Sequence, residues 1–191
     1  ILEAGGPENL VVSVANPTKA SSDEMMQSPI VRMLVATGGP GVVKALLSSG
    51  KKAIGAGAGN PPVIVDDTAD IAKAAQDIVN GSSFDNNLPC IAEKECFAFA
   101  NIADELIDNM QKHGAYLIKG SEIDKLKDVC LINKDGKYGI NKKWVGKDAV
   151  KFLEAIGIDA PKDTKLVICE TNADHPFVQV EMMMPVLAIV R

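Results

Sequence analysis

The sequence predicts an α/β protein of three layers with largely parallel sheets. Short β-branched runs alternate with segments of helical periodicity along the chain, the pattern of strands joined by crossover helices. Glycine-rich or polar turns stand between them. Nearly half of the 191 residues are apolar, 47%, while aromatics make up only 4%. A chain of this length and make-up buries a substantial core in one or two domains.

The elements follow in order. Gly5-Gly6-Pro7 is a turn, and Leu10 to Val14 reads as a buried strand broken by Asn16-Pro17. Ser21 or Ser22 could cap a short helix through Met25 and Met26. A strand over 31–36 runs into Thr37-Gly38-Gly39-Pro40-Gly41, and a helix over 42–47 closes at Ser48-Ser49-Gly50. Strand, glycine turn and helix start together form either a phosphate cradle or a packing device. The run Gly55 to Pro62, rich in small residues, implies a close backbone approach. A strand over 63–65 follows. Asp66, Asp67 or Thr68 then caps a helix that buries Ile71, Ala74, Ala75, Ile78 and Val79 and ends at Gly81. Two acids at a helix start favour capping over metal ligation, because the helix dipole stabilises them.

Beyond residue 90, strands are expected at 95–100, 116–118, 165–169 and 185–190. Helices are expected from Asn101 to Gly114, from Ser121 through Val129, and over 148–156. Asp135-Gly136 marks a turn in a polar loop. Residues 177–184 read as semi-extended.

A net charge of −5 and the absence of a Lys/Arg-rich run argue against a nucleic-acid partner. No apolar span is long enough for a membrane helix, and no signal-peptide pattern is present. Cys90, Cys96, Cys130 and Cys169 are widely spaced, and neither His113 nor His175 completes a zinc pattern with them. They read as reduced thiols of a cytoplasmic protein, with no metal site.

The stretch Ser82-Ser83-Phe84-Asp85-Asn86-Asn87-Leu88-Pro89-Cys90 stands apart as polar and turn-rich, ending on a thiol. Pro89 suits the first position of a helical turn. Cys90 would then lie among free N–H groups at a positive helix end, an environment that makes a thiol nucleophilic. On these residues alone, an inert cysteine beside a loop is the favoured reading, because most cysteines are structural.

Four segments carry a resemblance over the whole chain. Thr37-Gly38-Gly39, the run ending Asn60-Pro61-Pro62-Val63-Ile64-Val65-Asp66-Asp67, then Phe84-Asp85-Asn86-Asn87-Leu88-Pro89-Cys90, and Glu181-Met182-Met183-Met184-Pro185-Val186 fall in the order seen in the aldehyde dehydrogenase superfamily. Asp-Asn-Asn-Leu-Pro-Cys resembles its CoA-acylating branch, the propionaldehyde, acetaldehyde and butyraldehyde dehydrogenases of bacterial diol, ethanolamine and solvent metabolism.

The resemblance implies an aldehyde dehydrogenase-like fold, with 1–81 as the second half of the NAD(P)-binding domain and 82–191 as most of the catalytic domain. It implies that Cys90 attacks a short-chain aldehyde and that the Cys90 N–H is one oxyanion donor. The second donor, an upstream asparagine, has no match here. Hydride passes to NAD or NADP, and coenzyme A takes the acyl group from the cysteine thioester. Glu181 matches the glutamate that bonds the nicotinamide ribose. Thr37, Gly38 and Gly39 match the turn beside the cofactor, although a serine common in the family is Gly39 here. Gly55 stands where hydrolytic members carry a glutamate base. That points away from hydrolysis, although glycine there could also serve packing.

His175 reads as a polar loop residue. A homo-oligomer, dimer or tetramer, is implied for the full-length enzyme, in the cytoplasm or inside a bacterial microcompartment. The chain begins at Ile1 without methionine and stops behind an apolar run, so a piece of a longer protein is expected, inactive or nearly so by itself. The rival readings are a hydrolytic aldehyde dehydrogenase and a catalytically silent domain.

Overall fold

The structure, a computed structural model, describes all residues from Ile1 to Arg191. It divides into two compact units, 1–58 and 59–191.

The first unit begins with a single 3-10 turn, Leu2–Ala4. Helix α1 spans Lys19–Gln27 and is capped by Thr18, not by a serine. Thr18 Oγ1 accepts the Ser21 N–H and Ser21 Oγ accepts the Thr18 N–H, a reciprocal pair that satisfies two otherwise orphaned donors. Strand β1, Met33–Thr37, leads to helix α2, Pro40–Leu47, and then to strand β2, Lys52–Ala56. The two strands pair in parallel, Thr37 opposite Ala56. Leu34 and Leu46 are its buried apolar side chains. Leu10 to Val14 is not a buried strand, because residues 10–14 form no ladder and Val11 and Val12 are nearly three-quarters exposed. A β-branched run becomes a strand only when its backbone groups find a partner.

The second unit is a three-layer sandwich. Its elements are β3 (Pro62–Val65), α3 (Ile71–Ser83), β4 (Glu95–Ala98), α4 (Ala103–Lys112), β5 (Ala115–Ile118), α5 (Ser121–Cys130), β6 (Leu131–Lys134), β7 (Lys137–Ile140), α6 (Ala149–Ala155), β8 (Leu166–Glu170), α7 (Pro176–Gln179) and β9 (Val186–Val190). Five strands form one parallel sheet in the order β3-β4-β9-β8-β5. Strand β9 is central and buried on both faces, as its unbroken Val-Leu-Ala-Ile-Val demands.

Alternation divides the core. Leu166, Ile168, Leu187 and Ile189 face the side of α3 and α4, among Ala75, Ile78, Leu106 and Met110. Val167, Cys169, Val186 and Ala188 face the other side, with Leu126, Phe152, Leu153 and Phe177. Asp70, rather than Asp66 or Asp67, caps α3, its carboxylate accepting the Lys73 N–H at 3.1 Å. Asp66 folds back on Thr68. The Asp135-Gly136 turn joins an antiparallel hairpin, β6 to β7, and both residues have positive φ, as a primed hairpin turn requires.

The division between units falls at Ala58/Gly59. Pairing of β3 with β4 and packing of α3 on α4 draw 59–81 into the second unit.

Candidate active site around Cys90

Strands β3, β4 and β9 are parallel neighbours, so they enter the sheet from one edge. The segments that precede them, Gly59-Asn60, Pro89–Lys94 and Glu181–Met184, converge at that edge. Helix α3 runs back to it and delivers the loop that carries the thiol.

That loop is wound the unusual way. Asp85, Asn86 and Asn87 have φ of 47°, 52° and 63°, a left-handed turn closed by Leu88 N–H donating to Asp85 O at 3.0 Å. Ordinary side chains resist this conformation by about 1–2 kcal/mol per residue, whereas Asp and Asn tolerate it. The two asparagines also pin it. Asn86 Nδ2 donates to Gly146 O and to Asp148 Oδ1. Buried Asn87 donates to Ser82 O at 2.8 Å and to Glu93 O at 3.0 Å.

Cys90 sits one step further, on a single turn in which Ala92 N–H donates to Pro89 O at 3.1 Å. This differs from the expected helix start, for no helix follows. The N–H of Cys90 is nevertheless bonded to no acceptor of the chain. Cys90 is the exposed thiol; Cys96, Cys130 and Cys169 are buried. Desolvation pushes Cys96 and Cys169 up to about 12 and raises Cys130 as well, so none of these three forms a thiolate near neutrality.

Glu181 lies beside this turn. A Cβ added to Gly59 would sit 2.5 Å from Cys90 O and 3.2 Å from Glu181 Oε1. Gly59 is thus glycine so that the chain before β3 can lie against both groups. Met183, with φ of 54°, accepts the Gly146 N–H at 3.2 Å. Gly146, with φ of 71°, suits glycine, and an added Cβ would press on the Leu88 side chain at 3.1 Å.

Several of these residues were invisible as site residues in the sequence. Lys94 is only 4% exposed, and its ammonium donates to Asn87 O, Asn87 Oδ1 and Pro89 O. Burial lowers its pKa, while Glu181, Cys90, Glu93 and Glu95 oppose that shift. Glu95 is buried with no partner for Oε2, and desolvation pushes its carboxyl up to about 7 against the pull of Lys94. The signal for Glu95 was its place at the head of a strand-like run, where a charged residue is either edge-exposed or buried for a purpose; Lys94, one residue before that run, carried no such signal.

Thr37, Gly38 and Gly39 belong to the first unit. Thr37 ends β1, Gly38 N–H donates to Ala56 O at 3.0 Å, and Gly39 is the N-cap of α2 with Pro40 at its first position. An added Cβ at Gly55 would lie 3.0 Å from Val43 Cγ1 and 3.5 Å from Leu46 Cδ2. Packing against α2 supports the second of the two readings given for this glycine and leaves the first, a position where hydrolytic members carry a glutamate, standing beside it. The wider observation holds, since 52–60 contains no carboxylate at all. His175 caps the four-residue α7, its Nδ1 accepting the Phe177 N–H at 3.2 Å, and burial lowers its pKa; it is a structural cap.

The aldehyde dehydrogenase family model matches residues 1–191. The propanal dehydrogenase (CoA-propanoylating) of Salmonella typhimurium is 51% identical over 187 residues, covering 97% of this chain and 39% of that protein. The propionaldehyde dehydrogenase of Rhodopseudomonas palustris with bound propionyl-CoA superposes with a TM-score of 0.91 at 57% identity, over 100% of this chain and 42% of the other. The same enzyme with bound CoA and an acylated cysteine matches at 56% identity and a TM-score of 0.91, over 100% of this chain and 43% of that one. An engineered glycolyl-CoA reductase with bound NADP+ matches at 56% identity and a TM-score of 0.91, over 100% of this chain and 43% of that one. The chain thus spans about two-fifths of the length of the relatives it matches. With the family model matching from end to end, the chain belongs to the aldehyde dehydrogenase family.

Proposed function

We propose that the protein containing this chain is a CoA-acylating aldehyde dehydrogenase. It converts a short-chain aldehyde, NAD(P)+ and CoA to acyl-CoA and NAD(P)H, reversibly, through a thioester on Cys90. The observation that carries the reading is the exposed Cys90 thiol on a rigid turn whose own N–H is unbonded, with Glu181 beside it.

The Cys90 thiolate adds to the aldehyde carbon, and the Cys90 N–H donates to the oxygen that becomes an alkoxide. A bound nicotinamide would supply the acceptor for the hydride that leaves that carbon. CoA thiolate then adds to the Cys90 thioester, and acyl-CoA leaves as the Cys90 thiolate returns. Glu181 and the Thr37-Gly38-Gly39 turn are the residues we assign to holding the dinucleotide. The close approach of Gly59 to Cys90 O and Glu181 Oε1 keeps the Glu181 carboxylate next to the thiol turn. The turn before α2 offers backbone N–H groups to a phosphate. Relatives of two substrate types, propanal and glycolyl-CoA, support a small acyl group. The absence of a carboxylate from 52–60 favours CoA over water as acyl acceptor.

The four unpaired cysteines suit a reducing cytoplasm, and no helix is long and apolar enough to cross a membrane. Microcompartment residence and a dimeric or tetrameric state rest on the family resemblance. Incubation of the full-length protein with propionyl-CoA, followed by peptide mass spectrometry, tests the mechanism. A propionyl group is expected on Cys90, absent in Cys90→Ala. Its appearance on another residue, or on none, overturns the assignment. Reduced cofactor formed from propanal should require CoA; equal formation without CoA would restore the hydrolytic rival.

A further inference from the structure

We propose that Lys94 is a positioning residue for the Cys90 oxyanion donor, setting the plane of the Pro89–Cys90 peptide and polarising it. The inference rests on the thioester reading of Cys90.

An ammonium has three N–H donors, and the three acceptors of Lys94 are Asn87 O at 2.9 Å, Asn87 Oδ1, and Pro89 O at 3.0 Å. All are uncharged, and all belong to the four residues that end at Cys90. No carboxylate lies within ion-pair distance of Lys94. A buried ammonium without an ion-pair partner costs several kcal/mol, so stability alone is a poor reason for a lysine here.

Its geometry supplies another reason. In a trans peptide the C=O and N–H point in opposite directions. The chain contains no cis bond. Lys94 Nζ and the Ala92 N–H both hold Pro89 O on the buried side. The N–H of the same peptide, that of Cys90, is therefore turned away from the interior, on the residue whose thiol is exposed. A positive charge on the carbonyl also draws electron density through the amide, which strengthens the N–H as a donor. The titratable groups facing Lys94 are Glu181, Cys90, Glu93 and Glu95.

The step it serves is balanced without any further reagent. Cys90 Sγ adds to the thioester carbon of an acyl-CoA, and the carbonyl pair moves to oxygen. Collapse re-forms the carbonyl and expels CoA thiolate. The Cys90 N–H bonds the oxygen while it is charged. Alkylation by iodoacetamide uses the same sulfur and displaces iodide, with no oxyanion.

The test compares those two reactions in the full-length protein, at one pH, for wild type, Lys94→Met, Lys94→Gln and Lys94→Arg. Single-turnover acylation by propionyl-CoA is expected to fall about 10- to 100-fold in Lys94→Met, somewhat below the full loss of an oxyanion donor. Alkylation at Cys90 should hold within the same order of magnitude. Lys94→Gln keeps donors without charge and should fall between; should Lys94→Met not fold, the glutamine variant answers the same question. Lys94→Arg should recover part of the acylation rate. If both reactions slow in proportion, or neither slows, Lys94 is a structural brace and the inference is overturned. A wild type that alkylates at Cys90 but never acylates would instead overturn the proposed function, and this inference with it.

Discussion

Gly59 shows how small a margin the thiol turn has. A methyl group there would press on the Cys90 carbonyl oxygen at 2.5 Å, a backbone atom that cannot swing aside as a side chain can. Gly59→Ala should destabilise the second unit by about 1–3 kcal/mol through overpacking and lower Cys90 acylation, measured by urea titration and by propionyl-CoA labelling. A variant as stable and as fast as wild type would show that the turn yields freely. Glu95 offers a pH test at the same scale. Its folded carboxyl titrates near 7, well above the ordinary glutamate range. At pH values below that range both folded and unfolded forms are neutral. As pH rises toward 7 the unfolded carboxyl ionises first, so the stability this group contributes is lost through that window. Glu95→Gln is expected to be more stable than wild type at pH 8, by up to about 3 kcal/mol, with the gap closing toward pH 5. A gap independent of pH would mean that Glu95 ionises normally.

Among elements, α3 matters most, because it delivers the thiol loop. Its start is held by the Asp70 carboxylate on the Lys73 N–H, and its inner face by Ala75, Ile78 and Val79. Asp70→Ala should cost about 1 kcal/mol, seen as a lower midpoint in urea with an unchanged slope. The end of α3 hands over to the left-handed Asp85–Asn87 turn, and here sequence and structure diverge instructively. The residue types were legible as turn formers. Their direction was not, since it depends on Gly146 O and Asp148 Oδ1, some sixty residues ahead, accepting from Asn86. The cap of α3 was misplaced by a few residues for a similar reason. Asp66, Asp67 and Asp70 are equal on propensity, and only the backbone entering from β3 selects among them.

At the scale of the molecule, the two units differ in what they bury. Leu34 and Leu46 are the buried apolar side chains of residues 1–58, whereas the second unit encloses clusters on both faces of five strands. Amides of β1 and β2 should therefore exchange faster than those of β8 and β9. Comparable protection in both sets would contradict this ordering. What the sequence by itself determined was local and periodic: alternating strands and helices, the unbroken apolar run of β9, the reactive stretch before Cys90, and the family that stretch resembles. The tertiary structure alone decided that Leu10–Val14 is no strand, that Gly55 packs on α2, and that Gly59, Lys94 and Glu181 gather around Cys90. Periodicity reports which face of an element is apolar. It carries no information on which elements pair, and pairing β3, β4 and β9 side by side is what brings their leading segments to one thiol.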